Sequence, residues 1–437
     1  MYRRSLKPRH RGVPLFASLG IRNYRLFFFG GLVSNIGTWM ARVAQDWLVL
    51  TILTDRSATA LGLTTALQFL PMALLAGQAG AAADRFDKRR LLQITQASML
   101  VTGLALAVLV LTGAVALWHV YLLSGLAGVG AAFDGPARQA YAPEMVPRRL
   151  IPNAVGLNTT SFNAARLIGP AAAGLMIAWW GVGPALVVNA VSFVPVIWAL
   201  ALQDPAQLHP SERIRVAHPV RDGLAYVRRS PRIMLLMFTV FMLGTFGMNF
   251  QITNALMATA VFGVGSEEFG FLGTAMAIGS LSAGLIAAKR ANPRMRTVVT
   301  AMTGFGVCAA GLTFAPNIWF YAACLVPTGF FALTAMTVAN ASVQLATPPA
   351  LRGRVLALYM AIFIGGTPIG SPLLGWVGDA LGARWTLGIG FVSAFLAVAV
   401  VVLSVWRSKD FDWPHRSRAD DPEFDHIRHG EAGQARS

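Results

Sequence analysis

Long apolar stretches recur along this 437-residue chain, and nearly all of its positive charge lies in the gaps between them, on alternate sides. An apolar run of about 20 residues is long enough to cross the hydrocarbon core of a bilayer as a helix. Lipid offers the backbone no hydrogen-bond partner, so a spanning segment must be a helix or part of a closed barrel. The runs here are continuous rather than alternating, which excludes the barrel. The expected fold class is therefore an all-α polytopic membrane protein. Twelve spans are predicted, at 24–53, 60–83, 91–111, 118–137, 154–179, 183–201, 233–255, 268–288, 297–313, 318–339, 354–375 and 385–406. Only 13% of the residues are charged and 55% are hydrophobic, against roughly a quarter charged in an ordinary soluble domain. The first apolar stretch is too long for a signal-peptide core, and no small-residue cleavage site follows it, so no cleavable leader is expected.

The net charge of +17 does not point to nucleic acid, because its distribution follows the spans. With the N-terminus inside, 31 of the 36 Lys and Arg residues fall in inside segments. Arg56 and Arg384 fall outside, and Arg25, Arg42 and Arg166 fall within spans. Such a bias orients a membrane protein with its basic loops in the cytoplasm. Both termini are then cytoplasmic, and the expected location is a bacterial-type inner membrane. The basic loops also suit anionic lipid headgroups. Cys308 and Cys324 both fall in spans and give neither a disulfide framework nor a metal-ligand spacing.

The segment around span 5 resembles that around span 11 at a constant offset of 201 residues. Pro147 matches Pro348, Leu150 matches Leu351, Gly169 matches Gly370, Gly174 matches Gly375 and Gly181 matches Gly382. At the ends of spans 2 and 8, Gly80 pairs with Gly284, Arg85 with Lys289 and Arg90 with Arg294. The predicted organisation is an N-terminal cytoplasmic segment (1–23), one six-helix bundle (24–201), a cytoplasmic linker (202–232), a second six-helix bundle (233–406) and a disordered cytoplasmic tail (407–437). A parallel repeat of two such bundles is the plan of a large class of secondary transporters, with the substrate site near the midplane between them. In the linker, Val220, Leu224 and Val227 recur at helical spacing beside Arg221, Arg228 and Arg229. That pattern predicts a short amphipathic helix on the inner membrane surface, or a solvated linker with a basic face.

Span 2 ends in Gly80-Ala81-Ala82-Ala83-Asp84-Arg85-Phe86-Asp87-Lys88-Arg89-Arg90. A carboxylate at the C-terminal end of a helix faces the negative end of the dipole, so Asp84 needs a positive partner. Gly80, one turn earlier, permits a neighbouring helix to approach. Together they suggest a latch at the inner side. The string resembles the signature between spans 2 and 3 of the major facilitator superfamily, with departures at Ala82 and Asp87, where Leu and a second Gly are usual. The resemblance implies a cytoplasmic gate formed by Gly80, Asp84, Arg85 and Arg89 against span 11 and its first residue, Arg354. Asp134, Arg138 and Glu144 could join that gate or form a solvated cluster.

In span 5, Gly156, Ala165, Gly169-Pro170 and Gly174 resemble the antiporter motif of superfamily exporters, with Ala165 and Ala173 in place of two glycines. Pro170 has no N–H for the carbonyl of Arg166, which predicts a kink. Residues 20–200 are also similar to the exporter group of that superfamily that includes the enterobactin exporter and macrolide and multidrug efflux proteins. The carrying residues are Asn23-Tyr24-Arg25-Leu26-Phe27, Trp47-Leu48-Val49, Phe133-Asp134-Gly135-Pro136-Ala137-Arg138, Pro143-Glu144-Met145-Val146-Pro147 and Ile168-Gly169-Pro170.

Among the 19 acids, Asp46 alone lies well inside a predicted span. A charge at that depth is expensive and is placed in a bundle interior or wet cavity. Arg42 shares its helical face at i−4, and Arg166 lies at a similar depth in span 5. Asp46, Arg42 and Arg166 are therefore the proton-coupling candidates, with a permanent structural ion pair as the alternative. Spans 1, 4, 7 and 10 line the path in the resembled superfamily. The cavity candidates on them are Asn35, Trp39, Tyr121, Phe246, Asn249, Gln251 and Asn254. Aromatics with a few amides suit bulky amphiphilic ligands.

No phosphate-binding loop and no metal motif occurs in the sequence, so neither ATP hydrolysis, a cofactor nor a metal is expected. No catalytic constellation suggests an enzyme. The expectation is a monomeric exporter of a siderophore or drug-like molecule, driven by proton antiport. An importer or uniporter of the same fold and a non-transporting scaffold are the rivals.

Overall fold

The computed structural model describes residues 14, 16–209, 219–287 and 294–407. Residues 1–13, Lys289 and the tail beyond Arg407, on which three of the expectations fall, lie outside the described residues. Those described are almost entirely helical. In chain order the helices are α1 (Arg22–Leu48), α2 (Ala58–Leu74), α3 (Ala76–Arg85), α4 (Lys88–Leu111), α5 (Leu117–Tyr141), α6 (Ile151–Trp180), α7 (Val182–Ala201) and α8 (Pro219–Arg229). They continue with α9 (Pro231–Met242), α10 (Phe250–Leu256), α11 (Ser266–Ala287), α12 (Met295–Thr313), α13 (Ile318–Ala346), α14 (Pro349–Leu381) and α15 (Ala383–Arg407). One compact unit runs to Val398, and a second begins at Ala399.

Eight segments of the described chain are long and apolar enough to cross a bilayer, nine when the bent pair α2–α3 is taken as one span. The sequence predicts twelve. The shortfall falls on α1, α5 and α6, which carry Arg22, Arg25, Arg42 and Asp46, then His119, Asp134 and Arg138, then Asn153, Asn158, Asn163 and Arg166. These side chains lower the mean hydropathy of helices that are otherwise as long as the rest. Polar groups on a long helix in lipid belong against protein or a wet cavity, so the shortfall itself marks where to look for a path.

Helix ends follow local chemistry. Ser57 caps α2 by accepting from the Ala60 N–H, and Asp87 caps α4 by accepting from the Arg90 N–H at 2.9 Å. The acid where the resembled signature has glycine therefore starts the next helix. α2 and α3 meet at Leu75 with a 53° bend, four residues after Pro71. Proline inside a helix removes a backbone donor and bends the segment around it. α6, by contrast, runs unbroken through Pro170. Three stretches wind as π-helix: Val49–Leu53, Leu243–Gly247 and Met257–Val261.

Between residues 22 and 201, α1 packs on α6 and α7, α4 on α5 and α7, and α2 on α5. Tyr24, Phe27, Tyr141 and Met145 form a buried core where α1, α5 and α6 meet, and the Tyr24 hydroxyl donates to the Ala154 carbonyl at 2.7 Å. Between residues 231 and 398, α13 packs on α11 and α12, and α14 on α9. α8 lies within the linker segment. It lies along α14, with Gly223 against Arg354 and the Tyr226 hydroxyl donating to the Ala346 carbonyl at 3.0 Å. Two main helix pairs join the two sets, α2 with α14 and α6 with α11. Large apolar side chains and tryptophans such as Trp118, Trp179, Trp319 and Trp376 face outward, as a lipid-facing surface with interfacial aromatics requires.

Candidate transport pathway

The bundle has a basic end, where α3 meets α4 and α5 leads into α6, and an opposite end, where α2 begins and α14 stops. At the opposite end the two joining pairs are tightly sealed. Gly375 of α14 lies against the backbone of Ala58 and Thr59 at the start of α2, and Gly174 of α6 lies against Ser266 and Glu267 at the start of α11. A side chain at either glycine would collide with backbone. These glycines are matched at the 201-residue offset, so the duplication seen in sequence reappears as one packing contact made twice.

The seal has a polar lock. The Asp379 carboxylate at the end of α14 accepts from the Ala58 N–H at 2.7 Å, the Thr59 N–H at 2.9 Å and the Ser57 hydroxyl at 3.2 Å. A carboxylate across the first turn of a helix satisfies orphan donors and meets the positive end of the dipole. On the other pair, the Ser266 hydroxyl donates to the Gly174 carbonyl and the Thr274 hydroxyl to the Leu167 carbonyl, each at 3.1 Å. Trp47 of α1 stacks on Phe269 of α11 with ring centroids 6.1 Å apart.

The basic end is different. Asp84 and Arg85 are exposed, and among the described residues Asp84 makes no hydrogen bond or ion pair. Among the described residues, no neighbouring atom comes within 4 Å of the space beside Gly80, Gly156 or Gly353. The expected approach of a helix at Gly80 is thus absent in this conformation, and Asp84 is not joined to Arg354. Along α6 the exposed Thr159 and Thr160 hydroxyls turn back on carbonyls of their own helix, as does the Asn163 amide. The other basic-end candidates are held within residues 22–201. Asp134 accepts from Arg138 Nε and the Thr95 hydroxyl, both at 3.0 Å, and from the Gln96 amide at 2.7 Å. Lys88 donates to Glu144 at 2.9 Å, and Arg89 binds the Leu200 and Ala201 carbonyls that end α7 at 2.6 and 2.8 Å. These contacts tie α4, α5 and α7 together.

Between the ends lie the intramembrane charges. Asp46 is buried on α1, at 6% exposure, yet makes no ion pair with Arg42. The Arg42 guanidinium instead lies 4.6 Å from the Trp39 ring centroid and 5.3 Å from that of Phe69. Arg166 reaches the same Trp39 ring from α6, at 5.7 Å, and Trp39 meets Phe162 edge-on at 5.9 Å. The structure therefore brings Arg42 and Arg166 together around the Trp39 ring and not around Asp46. Arg42 also lines a cavity of about 90 Å³ among α1, α2, α4, α5 and α7, with Thr38, Gln45, Gln68, Phe69 and Asn189.

The other cavity candidates divide. Asn35, Tyr121, Phe246 and Gln251 are partly exposed. Asn249 is buried and its amide donates to the Thr245 carbonyl of its own segment at 2.7 Å, and Asn254 accepts from the buried Tyr321 hydroxyl at 2.8 Å. Those last two act in packing here. Sequence reasoning missed Gln68, Asn189 and Asp379, although Asp379 sits at the C-terminal end of its helix as Asp84 does.

The profile of the transmembrane secretion effector family of the major facilitator superfamily matches residues 14–433. The chain belongs to that family. It is 27% identical to the staphyloferrin A transporter of Staphylococcus aureus, over 86% of this chain and 94% of that one. It is 28% identical to the multidrug efflux pump Tap of Mycolicibacterium fortuitum, over 88% of this chain and 96% of that one. Macrolide efflux protein A of Streptococcus pyogenes is 23% identical, over 89% and 98% respectively. The fold is that of a bacterial homologue of ferroportin solved in an inward-facing state, with a TM-score of 0.68 at 14% identity over 87% of this chain and 98% of that one. An inward-facing bacterial homologue of the lysosomal transporter Spinster superposes with a TM-score of 0.67 at 15% identity, over 92% of this chain and all of the other. Family membership bears out the sequence resemblance on this point.

Proposed function

We infer that this protein is a secondary transporter that exports a small amphiphilic molecule, siderophore or drug-like, across the cytoplasmic membrane by alternating access and proton antiport. Twelve spans in two six-helix bundles, 24–201 and 233–406, move about the seam between them, with the segment 202–232 as the cytoplasmic linker. The basic end is the cytoplasmic end, by the charge bias of the loops. The conformation is then open to the cytoplasm and shut to the outside.

One observation carries this function: α2–α14 and α6–α11 are sealed at one end of the bundle while, at the other, the glycines and the Asp84 latch stand apart. A path open at only one end, with polar side chains on α1 and α6 midway, is what alternating access needs. Efflux proteins among the relatives support the outward direction. Asp46 is the acid placed to carry the proton, and Pro170 and Gly174 are the span-5 elements on which the outer seal closes, with Gly169 against α1 and Gly156 toward the inner end. In this scheme Gly80, Asp84, Arg85, Arg89 and Arg354 form the inner gate when the cycle turns over.

The test is flux in inverted vesicles under an imposed pH gradient, with the substrate chosen by a deletion strain's growth across toxic compounds and iron limitation. Export requires uptake into inverted vesicles driven by an acidic lumen. Asp46→Asn is expected to abolish the gradient-driven part while leaving substrate exchange. Uptake that ignores the gradient would favour a uniporter, and full gradient-driven flux in the variant would remove Asp46 from the coupling.

A further inference from the structure

Two guanidinium groups within membrane-spanning helices meet at one aromatic ring, and neither has an acid to itself. Arg42 and Arg166 both lie within 6 Å of the Trp39 centroid, at 4.6 and 5.7 Å, so their separation cannot exceed the sum of those distances. Among the described residues neither makes a hydrogen bond or an ion pair, and the Arg42 Nε is buried with no partner. Asp46 lies one turn along the same helix, within electrostatic range of Arg42 but beyond ion-pair distance. With Asp46 ionised, the three groups together carry one surplus positive charge.

A guanidinium presents five N–H donors in a planar fork. An aromatic face attracts its charge but accepts those donors poorly. A single arginine at a helix centre is already costly to insert. Two of them on facing helices are sustained by a wet cavity and by what binds in it. The partner that meets both the charge and the fork is an oxyanion, held bidentately. The surroundings supply the rest of a recognition site: Trp39, Phe69 and Phe162 for an apolar body, and Thr38, Gln45, Gln68 and Asn189 lining the adjoining cavity for further polar groups. A cation entering here would face two like charges against one opposite, at separations where low dielectric makes repulsion costly.

On the transport function proposed above, and independently of its proton coupling, we propose that the substrate is an organic anion whose carboxylate or similar oxyanion is held by Arg42 and Arg166 beside Trp39. A monoanion balances the surplus charge with Asp46 ionised, so the loaded site crosses the membrane neutral.

Three probes of one shape separate the alternatives: 2-naphthoate, its methyl ester and naphthyl-trimethylammonium. Binding to the purified full-length protein is measured calorimetrically in nanodiscs of zwitterionic lipid. Naphthoate is expected to bind at least tenfold more tightly than the ester, with the ammonium weakest. Arg42→Gln and Arg166→Gln each reduce the preference for naphthoate over the ester by tenfold or more, and Arg42→Lys keeps part of it. Should either Gln variant fail to fold, the wild-type ranking of the three probes still decides. Equal binding of acid and ester, tightest binding of the ammonium, or unchanged selectivity in the folded Gln variants would overturn the proposal. Loss of naphthoate binding in anionic nanodiscs would also overturn it, by giving the site to a lipid headgroup. Flux measured beside binding keeps the two claims apart. Anion-selective binding without transport refutes the transporter and leaves the site, whereas export of the ammonium without naphthoate binding does the reverse.

Discussion

Asp379 and Asp84 are the same device at opposite ends of the bundle, one engaged and the other not. Each carboxylate stands at the C-terminal end of a helix, where the dipole disfavours it. Asp379 escapes that position by closing over the first turn of α2 with three hydrogen bonds. Asp84 is left in solvent. The α2 segment contributes the receiving helix start at one end and, through α3, the acid at the other. α14 does the converse, carrying Asp379 at its close and Arg354 near its beginning. The pairing teaches that an unfavourable acid is a useful latch, because it is uncomfortable whenever its partner helix is away.

That comparison can be broken at its apolar part first. Gly174→Val with Gly375→Val puts side chains into backbone at both seams of the sealed end. Overpacking of this kind costs about 1–3 kcal/mol per site, and the two sites are far enough apart in sequence and contact to act together. Nitroxides at exposed Leu63 and Ile369, on α2 and α14, should report a wider separation by pulsed EPR for most molecules. An unchanged distance distribution would mean that the seal does not depend on the glycines. Asp379→Ala comes next. A hydrogen bond to a charged group is worth about 1.5–3 kcal/mol, so losing the lock should shift the same distribution toward opening by at least about tenfold. Asp379→Asn, which keeps the acceptor oxygen, should restore part of the closed population. Asp84→Ala is the smallest change. Because Asp84 is exposed and has no bond among the described residues, the resting distribution should move by no more than about 0.5 kcal/mol, while transport falls as the alternate state loses its latch. A large shift at rest would show that Asp84 already acts in this conformation.

Much of this architecture was legible before the structure. The apolar runs locate the long helices, and the 201-residue repeat points to Gly174 and Gly375, which make equivalent contacts. Asp379 was legible in principle, since the dipole reasoning applied to Asp84 fits it equally well. Its position is masked because the apolar run of its span stops at 375, and a span drawn from hydropathy alone ends before the helix does at Leu381. The Arg42–Asp46 pairing failed for a geometric reason. Side chains on a helix lean toward its N-terminus, so the long Arg42 chain reaches Trp39, a turn earlier, rather than Asp46, a turn later. Asn254 looked like a cavity amide, but its partner, the Tyr321 hydroxyl, comes from a helix more than sixty residues away in sequence, which no local pattern announces.

The 53° break at Leu75 has a mechanical consequence. A straight rod sealed at its far tip would have to let go there before its near tip could travel. A jointed one has play: α3 can swing Asp84 inward while α2 stays fastened under Asp379. In the proposed cycle both doors can then be shut at once, which would leave the cargo in a closed chamber with no straight path for ions.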